Sequence, residues 1–357
     1  MIVVLGFQIK EVREGGFKSP EVCKKYPGLE WAPALYEAAT ALGHEFVTPE
    51  ECIERVKQGT AHPDQIFWFQ EQWDAQSQEY SRMRSVDVVF CLESKMYAFD
   101  FYDDLPRISL NSKALWLFNP DPKDPKQSRI YFPCFDETQK PQLPNWKDRQ
   151  NKAVAVIGNK WCYHWLNLHP DSPAQNSPSA KYALDHELHS TRIEVLAMLA
   201  EMDKLDLYGT GWEHPTVVPH YYLEKMKLIG SKFRGPVKDK HELLKNYKAC
   251  VVIENVDEPG YVTEKVFDSF NAGCYPIRSI YQTKLIWDWP LAEGMVSAVK
   301  DGYADTLGNH SYQSFANRIL SGIQLKHEQN QSAKWGYSLS CLIQGIDHSG
   351  RGMETHL

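Results

Sequence analysis

At 357 residues the chain is too long for one small module and about right for two domains of ordinary size. Apolar residues at 43% and charged residues at 24% are near the averages of soluble globular proteins, which excludes a disordered, collagenous or coiled-coil chain. The net charge of −7 argues against nonspecific binding to DNA or RNA, and no run approaches the ~18 apolar residues of a membrane helix. The opening MIVVLGF has no basic residue before it and no small-residue cleavage site after it, so it reads as a strand rather than a signal peptide. The 8 cysteines are scattered without a CxxC pair. A chain of this size does not need disulfide staples, so buried, reduced thiols in a cytoplasmic protein are expected.

In chain order, Ile2–Phe7 predicts a strand, and Trp31, Leu35, Ala38 and Ala39 at helical spacing predict a helix over Glu30–Leu42 stopped by Gly43. A short strand around Phe46–Val47 precedes a helix entered at Pro49. The charged, aromatic-rich stretch Gln65–Arg84 follows, and then Val86–Leu92 and Ala114–Phe118 read as buried strands. Within that stretch, Phe67-Trp68-Phe69 and Trp73 suit packing, with stacking on a ligand as the other reading. Residues 136–152 carry two prolines and almost no apolar side chain, as a linker does. A second series then begins. Ala153–Ile157, Leu205–Tyr208, Ala249–Ile253 and Tyr275–Ile277 read as strands, with helices over Arg192–Met202, His241–Tyr247 and Thr263–Asn271 between them. The alternation predicts two α/β domains with parallel sheets, over residues 1–145 and 146–340, and a tail over 341–357. Ligands of such sheets bind at the carboxyl ends of the strands.

The most informative stretch is Tyr247–Ile277, YKACVVIENVDEPGYVTEKVFDSFNAGCYPI. A buried strand delivers Glu254 and Asn255 at its carboxyl end, and a loop with Pro259 and Gly260 leads to Tyr261. Thr263 then caps a helix that carries Glu264 and Lys265 in its first turn. The positive end of that helix and the Lys265 ammonium suit a phosphate, while Glu264 suits sugar hydroxyls; a nucleotide diphosphate-sugar offers both. A well-capped helix with no ligand is the other reading. A second basic segment, Lys225, Lys227, Lys232, Arg234, Lys238, Lys240, Lys245 and Lys248, could serve a small polyanion or be ordinary solvated charge.

The stretch resembles the signature of the α1,3/4-fucosyltransferases, glycosyltransferase family ten. The matching residues are Ile253-Glu254-Asn255-Val256, Tyr261-Val262-Thr263-Glu264-Lys265 and Ala272-Gly273-Cys274-Tyr275-Pro276-Ile277. Asp206–Gly209 resembles the family's V-D-x-Y-G, Lys240–Tyr247 its approach to the signature strand, and Arg192 in HSTRIEVL the arginine at the start of the preceding helix. The likeness covers roughly residues 150–280. It implies a GT-B fold, two Rossmann-like domains facing a central cleft, with the C-terminal one holding GDP-fucose. It also implies an inverting displacement with neither bound metal nor cofactor, onto an N-acetylglucosamine or glucose unit of an oligosaccharide or glycan, in α1,3/4-type linkage. Arg192 and Lys265 would then stabilise the diphosphate leaving group, Asn255 would bond a phosphate or ribose group, and Tyr261 and Glu264 would meet hydroxyls.

In the family the general base is a glutamate of the N-terminal domain, often in an E-S-P-like motif after an apolar strand. Val88-Val89-Phe90-Cys91-Leu92-Glu93-Ser94-Lys95 has that form, with Lys95 in place of proline, and makes Glu93 the candidate base; Asp121 in Asn119-Pro-Asp-Pro122 is its competitor. After Pro276 the chain departs from the family with Arg278-Ser-Ile-Tyr-Gln-Thr, which leaves the donor sugar open. Neither an N-terminal anchor nor a heptad-and-basic tail is present, as expected of a soluble bacterial-type member. A transferase for another nucleotide sugar and a catalytically silent sugar-nucleotide-binding protein are the alternatives. His186 and His189 could share a helix face, but no carboxylate or cysteine partner marks them as metal ligands. Trp161, Trp165 and Trp212 could pack or stack on a ligand.

Overall fold

The computed structural model describes residues 1–26, 28–134, 142–159, 176–213, 222–278 and 308–331. The chain divides into two units, Met1–Asp136 with Asn309–Leu357, and Glu137–Gly308. Each unit is an α/β fold on an entirely parallel sheet. No helix among the described residues is long and apolar enough to cross a membrane.

The first sheet contains β1 (Ile2–Gly6), β2 (Glu45–Val47), β3 (Ile66–Glu71), β4 (Val86–Phe90), β5 (Ser112–Leu117) and β6 (Gln127–Arg129), in the order β2-β1-β3-β4-β5-β6. Strands β3 and β4 are buried along their whole length, because helices cover both faces of a parallel sheet. The charged, aromatic-rich stretch Gln65–Arg84, to which the sequence assigns no element, holds the central strand β3 and the helix Ala75–Ser81. Phe67, Trp68 and Phe69 are core residues, with Trp68 packed on Tyr80 at 4.4 Å between ring centroids and Phe69 stacked on Phe90 at 4.4 Å.

The helix Tyr312–Gln331 belongs to the first unit, although the sequence places these residues in the second domain. Phe315 sits 4.9 Å from the Trp31 ring and 6.2 Å from the Phe90 ring. One turn on, the Arg318 guanidinium lies 3.8 Å from the centre of the Trp116 ring. Lys326 reaches the carboxylate of Asp87, the fully buried second residue of β4, at 2.7 and 2.8 Å. Lys113 donates to the same carboxylate at 2.7 Å and the Trp68 N–H at 3.0 Å. A carboxylate in a sheet interior is tolerated only with such partners, so this return of the chain completes the first core.

The second sheet contains β7 (Gln150–Val156), β8 (Leu205–Tyr208), β9 (Tyr247–Val251) and β10 (Tyr275–Ile277), in the order β10-β9-β7-β8. Its helices include His189–Glu201, Lys240–Leu244 and Glu264–Asn271. The predicted helix ending at Tyr247 stops earlier, and Tyr247 instead opens β9 with its hydroxyl donating to Asp206 at 3.1 Å. Cys23, Cys52, Cys91, Cys134, Cys250 and Cys274 are buried free thiols. Cys162, Cys341, Trp161, Trp165 and the predicted tail 341–357 lie outside the described residues.

Candidate functional site

In the second sheet β7 is first in the chain, β8 lies on one side of it and β9 on the other. The topological switch point, where open α/β sheets bind ligands, is thus at the carboxyl ends of β7 and β9. The chain leaves β9 through Val252-Ile253-Glu254-Asn255. The segment entering the His189–Glu201 helix is tied to it there: the Leu188 N–H donates to the Asn255 carbonyl at 3.0 Å, and Glu187 bridges Val256. This places Arg192, buried in the first turn, against the end of the strand. Its Nη2 donates to the Ile253 carbonyl at 2.7 Å, the Glu254 carbonyl at 2.9 Å and Asn255 Oδ1 at 3.0 Å. Two of the candidate residues, 63 apart in the chain, are therefore in direct contact.

Thr263 takes the position before the Glu264–Asn271 helix, as the sequence predicts, but its side chain does not cap the helix. The hydroxyl lies 2.9 Å from each oxygen of the buried Glu254 carboxylate, and the Thr263 N–H donates to Glu254 Oε1 at 2.8 Å. Lys265 Nζ donates to Glu254 Oε2 at 2.9 Å and to Thr263 Oγ1 at 2.8 Å, with Glu264 Oε1 at 3.6 Å. Two donors of the ammonium are thus engaged, and the charge is held and partly neutralised rather than projecting alone. Burial raises the proton affinity of Glu264, but the charges of Lys265 and Lys240 outweigh it and hold its pKa below the ordinary value. Tyr261 is buried, its N–H donating to the Glu258 carbonyl at 3.0 Å. Glu254 is the organising residue that the sequence leaves without a role; its position one residue before Asn255 at a buried strand end is the signal for it.

A small, shallow recess opens beside β7, lined in part by Gly158, Asn159, His189, Arg192, Trp212 and Met226. The loops after β7 and β8 form it: Asn159 Nδ2 donates to the Gly211 carbonyl at 3.0 Å and Trp212 Nε1 to the Ile157 carbonyl at 2.8 Å. Gly209, with φ +140, is required between them, because a Cβ there would stand 2.0 Å from the Ile157 carbonyl oxygen. The recess offers one guanidinium, an amide and an indole. Its lining includes Arg192 but not Asn255, Tyr261, Glu264 or Lys265.

The other basic segment is largely spent on carboxylates. Lys225 pairs with Glu194 at 2.5 Å, Lys232 with Asp203 at 2.7 Å, Arg234 with Asp206 at 3.0 Å and Lys240 with Asp268 at 2.6 Å. His186 stacks on Tyr182, and His189 Nδ1 lies 3.4 Å from Arg192 Nη1. Among the described residues no group of three or more histidines, cysteines and carboxylates could hold a metal ion.

In the first unit, β4 ends at Phe90, so Glu93 stands three residues beyond the strand and is exposed. Its carbonyl accepts from the Cys91 thiol at 3.4 Å and the Tyr102 hydroxyl at 3.0 Å, which fixes the backbone while the side chain faces out. Asp121 is also exposed, and its Oδ1 accepts the Lys123 N–H at 2.9 Å in a local turn. The sequence misses Glu71, the buried last residue of β3. The apolar run Ile66-Phe67-Trp68-Phe69 ahead of it is the same signal that marks β4 ahead of Glu93.

No family model and no curated protein matches the chain by sequence. Among solved structures, a crystal structure of an α1,3-fucosyltransferase aligns at 14% identity over 90% of this chain and 89% of that one, with a TM-score of 0.45. A crystal structure of an α1,3-fucosyltransferase with GDP-fucose aligns at 14% identity over 92% and 89%, with a TM-score of 0.39. The putative UDP-N-acetylglucosamine 2-epimerase from Listeria monocytogenes aligns at 12% identity over 92% and 97%, with a TM-score of 0.43. Likeness at this level does not extend to chemistry.

Proposed function

We propose that the chain is an inverting glycosyltransferase of GT-B type that transfers L-fucose from GDP-fucose to a hydroxyl of an N-acetylglucosamine or glucose unit in a glycan acceptor. The observation that carries the reading is the contact between Arg192 and Asn255 at the switch point of the second sheet. It joins two separated parts of a sequence resemblance at a place where ligands bind such sheets. The Glu254–Thr263–Lys265 network supports it by holding a cation beside the start of the Glu264–Asn271 helix.

In this reading the acceptor oxygen attacks the anomeric carbon of the donor as its bond to the diphosphate breaks, and the electron pair leaves on GDP. The Arg192 and Lys265 cations stabilise that charge, Asn255 bonds a phosphate or ribose oxygen, and Tyr261 and Glu264 meet hydroxyls. Glu93 takes the acceptor proton. The test is a mass-spectrometric screen of GDP-fucose, GDP-mannose and UDP-sugars with mixed oligosaccharide acceptors. Transfer from GDP-fucose alone is the expected result. Transfer only from another donor would refute the fucosyl assignment, and donor binding without turnover would refute the enzyme.

A further inference from the structure

The strand order β2-β1-β3-β4-β5 gives the first sheet a switch point of its own, between β1 and β3. The last residue of β3 there is Glu71, only 9% exposed, and its main chain is held from two sides. The Glu71 carbonyl accepts from Gln70 Nε2 at 3.0 Å and from Gln8 Nε2 at 3.2 Å. Gln70 is fixed in turn, its Oε1 accepting the Trp68 indole N–H at 2.9 Å and its Nε2 donating to Asp74 at 3.1 Å. Gly6, which ends β1 opposite it, makes the room: a Cβ there would stand 1.9 Å from Gln70 Oε1. Just past Glu71 the chain turns. Gln72 takes the left-handed region at φ +56, rare for a residue with a side chain, and its N–H donates to the Phe90 carbonyl at 2.7 Å.

The Glu71 carboxyl, by contrast, is held on one oxygen. Oε2 accepts the Gln8 N–H at 3.2 Å, and no donor among the described residues reaches Oε1. The cations of the neighbouring segments are engaged elsewhere. Arg13 donates to the Phe7 carbonyl at 3.4 Å and faces Glu50 at 3.7 Å, and Lys95 lies over the Tyr102 ring, 5.8 Å from its centre. Burial pushes the Glu71 pKa up to about 7, against the Gln8 N–H and with the negative charge of Glu93. A carboxyl buried on one bond to a neutral amide costs stability, and a ligand that donates to the second oxygen offsets that cost. The place is the end of the sheet where ligands bind. An anion is repelled there, so the donor diphosphate does not suit it. A neutral donor, such as a sugar hydroxyl, does.

We propose that Glu71 is an acceptor-binding residue, whose Oε1 takes a hydrogen bond from a hydroxyl of the glycan acceptor at the switch point of the first sheet. The role rests on the reading of the chain as a glycosyltransferase and adds the residue that fixes how the acceptor lies. Glu71 pairs in register with Phe90, the end of the strand that leads to Glu93. The hydroxyl it binds is not the one that reacts; holding it decides which neighbouring hydroxyl is presented for transfer. The rigid shell of Gly6, Gln8, Trp68 and Gln70 gives the carboxyl one position before the sugar arrives.

The experiment compares wild type with Glu71→Gln in the full chain. The amide keeps the shape and an acceptor for the Gln8 N–H, but it puts an NH₂ where Oε1 stood. Oligosaccharides ending in N-acetylglucosamine or glucose are titrated by saturation-transfer NMR with GDP present, alongside transfer rates from GDP-fucose and urea midpoints at pH 8. Oligosaccharide affinity is expected to fall roughly ten- to hundredfold and the acceptor KM to rise with it, at unchanged GDP affinity. The urea midpoint should hold or rise, because a buried charge has been removed. Wild-type oligosaccharide affinity in Glu71→Gln would overturn the proposal. So would a loss accompanied by an equal fall in GDP affinity and a lowered midpoint, which marks a structural carboxyl. Should the variant fail to fold, the glutamate ¹³C-carboxyl spectrum of wild type decides: oligosaccharide should move the resonance that titrates near pH 7, and a spectrum unchanged by it would overturn the proposal. Weakened oligosaccharide binding in Glu71→Gln, in a protein that transfers from no donor, would keep the subsite and refute the transferase, so the two failures are told apart.

Discussion

Replacing Arg192 by lysine tests the geometry of the second unit and its proposed chemistry together. One guanidinium nitrogen serves the carbonyls of Ile253 and Glu254 and the side chain of Asn255, at 2.7, 2.9 and 3.0 Å. Lysine is shorter and carries one compact ammonium in place of a planar fork, so it can satisfy at most part of this set. Hydrogen bonds from charged donors are worth about 1.5–3 kcal/mol each, and losing two of them costs about 3–6 kcal/mol. Arg192 is only 7% exposed, so water recovers little of that. With urea slopes of about 1–3 kcal/mol per molar, the midpoint of the second unit should fall by about 1 M or more. Hydrogen exchange with mass spectrometry along a urea series resolves that unit from the first. GDP affinity, read by calorimetry, should fall at least about tenfold, since one charged hydrogen bond to phosphate is lost as well. A wild-type midpoint would refute the three contacts. A lowered midpoint with wild-type GDP affinity would make Arg192 a clasp of the fold and remove it from the donor site.

Further expectations follow from the same geometry. Lys265→Ala should weaken GDP binding in calorimetry by roughly ten- to hundredfold, and it should also lower stability because Glu254 loses its bonded cation. Glu93→Gln should lower transfer by ~10²–10⁴-fold with GDP affinity intact, whereas Asp121→Asn should stay near wild type; the reverse result would pass the role of base to Asp121. Transfer should persist in excess EDTA, because Arg192 and Lys265 supply the positive charge; loss on chelation with rescue by Mn²⁺ or Mg²⁺ would refute this. His310 lies buried with Nδ1 2.9 Å from the Phe132 carbonyl, and burial pushes its pKa down to about 4 against that hydrogen bond. The unfolded chain takes up this proton near pH ~6.5, so stability falls between there and about pH 4, by up to about 3 kcal/mol. Urea midpoints of His310→Asn should depend less steeply on pH over that window.

The chain's own residues determined the α/β class, most of the strands and the cluster around Glu254, Thr263 and Lys265. Parallel strands buried on both faces are written as largely apolar runs, so Ile2–Gly6, Val86–Phe90 and Leu205–Tyr208 are legible without neighbours, even with Asp87 and Asp206 inside the last two. Glu254, Asn255, Thr263 and Lys265 lie within a dozen residues of one another, and a strand–loop–helix turn folds them together locally. Tertiary structure alone decided three things. It turned the aromatic stretch Ile66–Glu71 into a central strand, because what separates a strand from a packed loop there is the pairing with β1 and β4. It assigned the helix Tyr312–Gln331 to the first unit, because the acceptors that neutralise Lys326 lie 239 positions earlier in the chain, on Asp87. And it brought Gln8, Glu71 and the approach to Glu93 to one sheet edge. Register and strand order set that proximity, and both depend on contacts between residues the chain holds far apart, where local patterning has no reach.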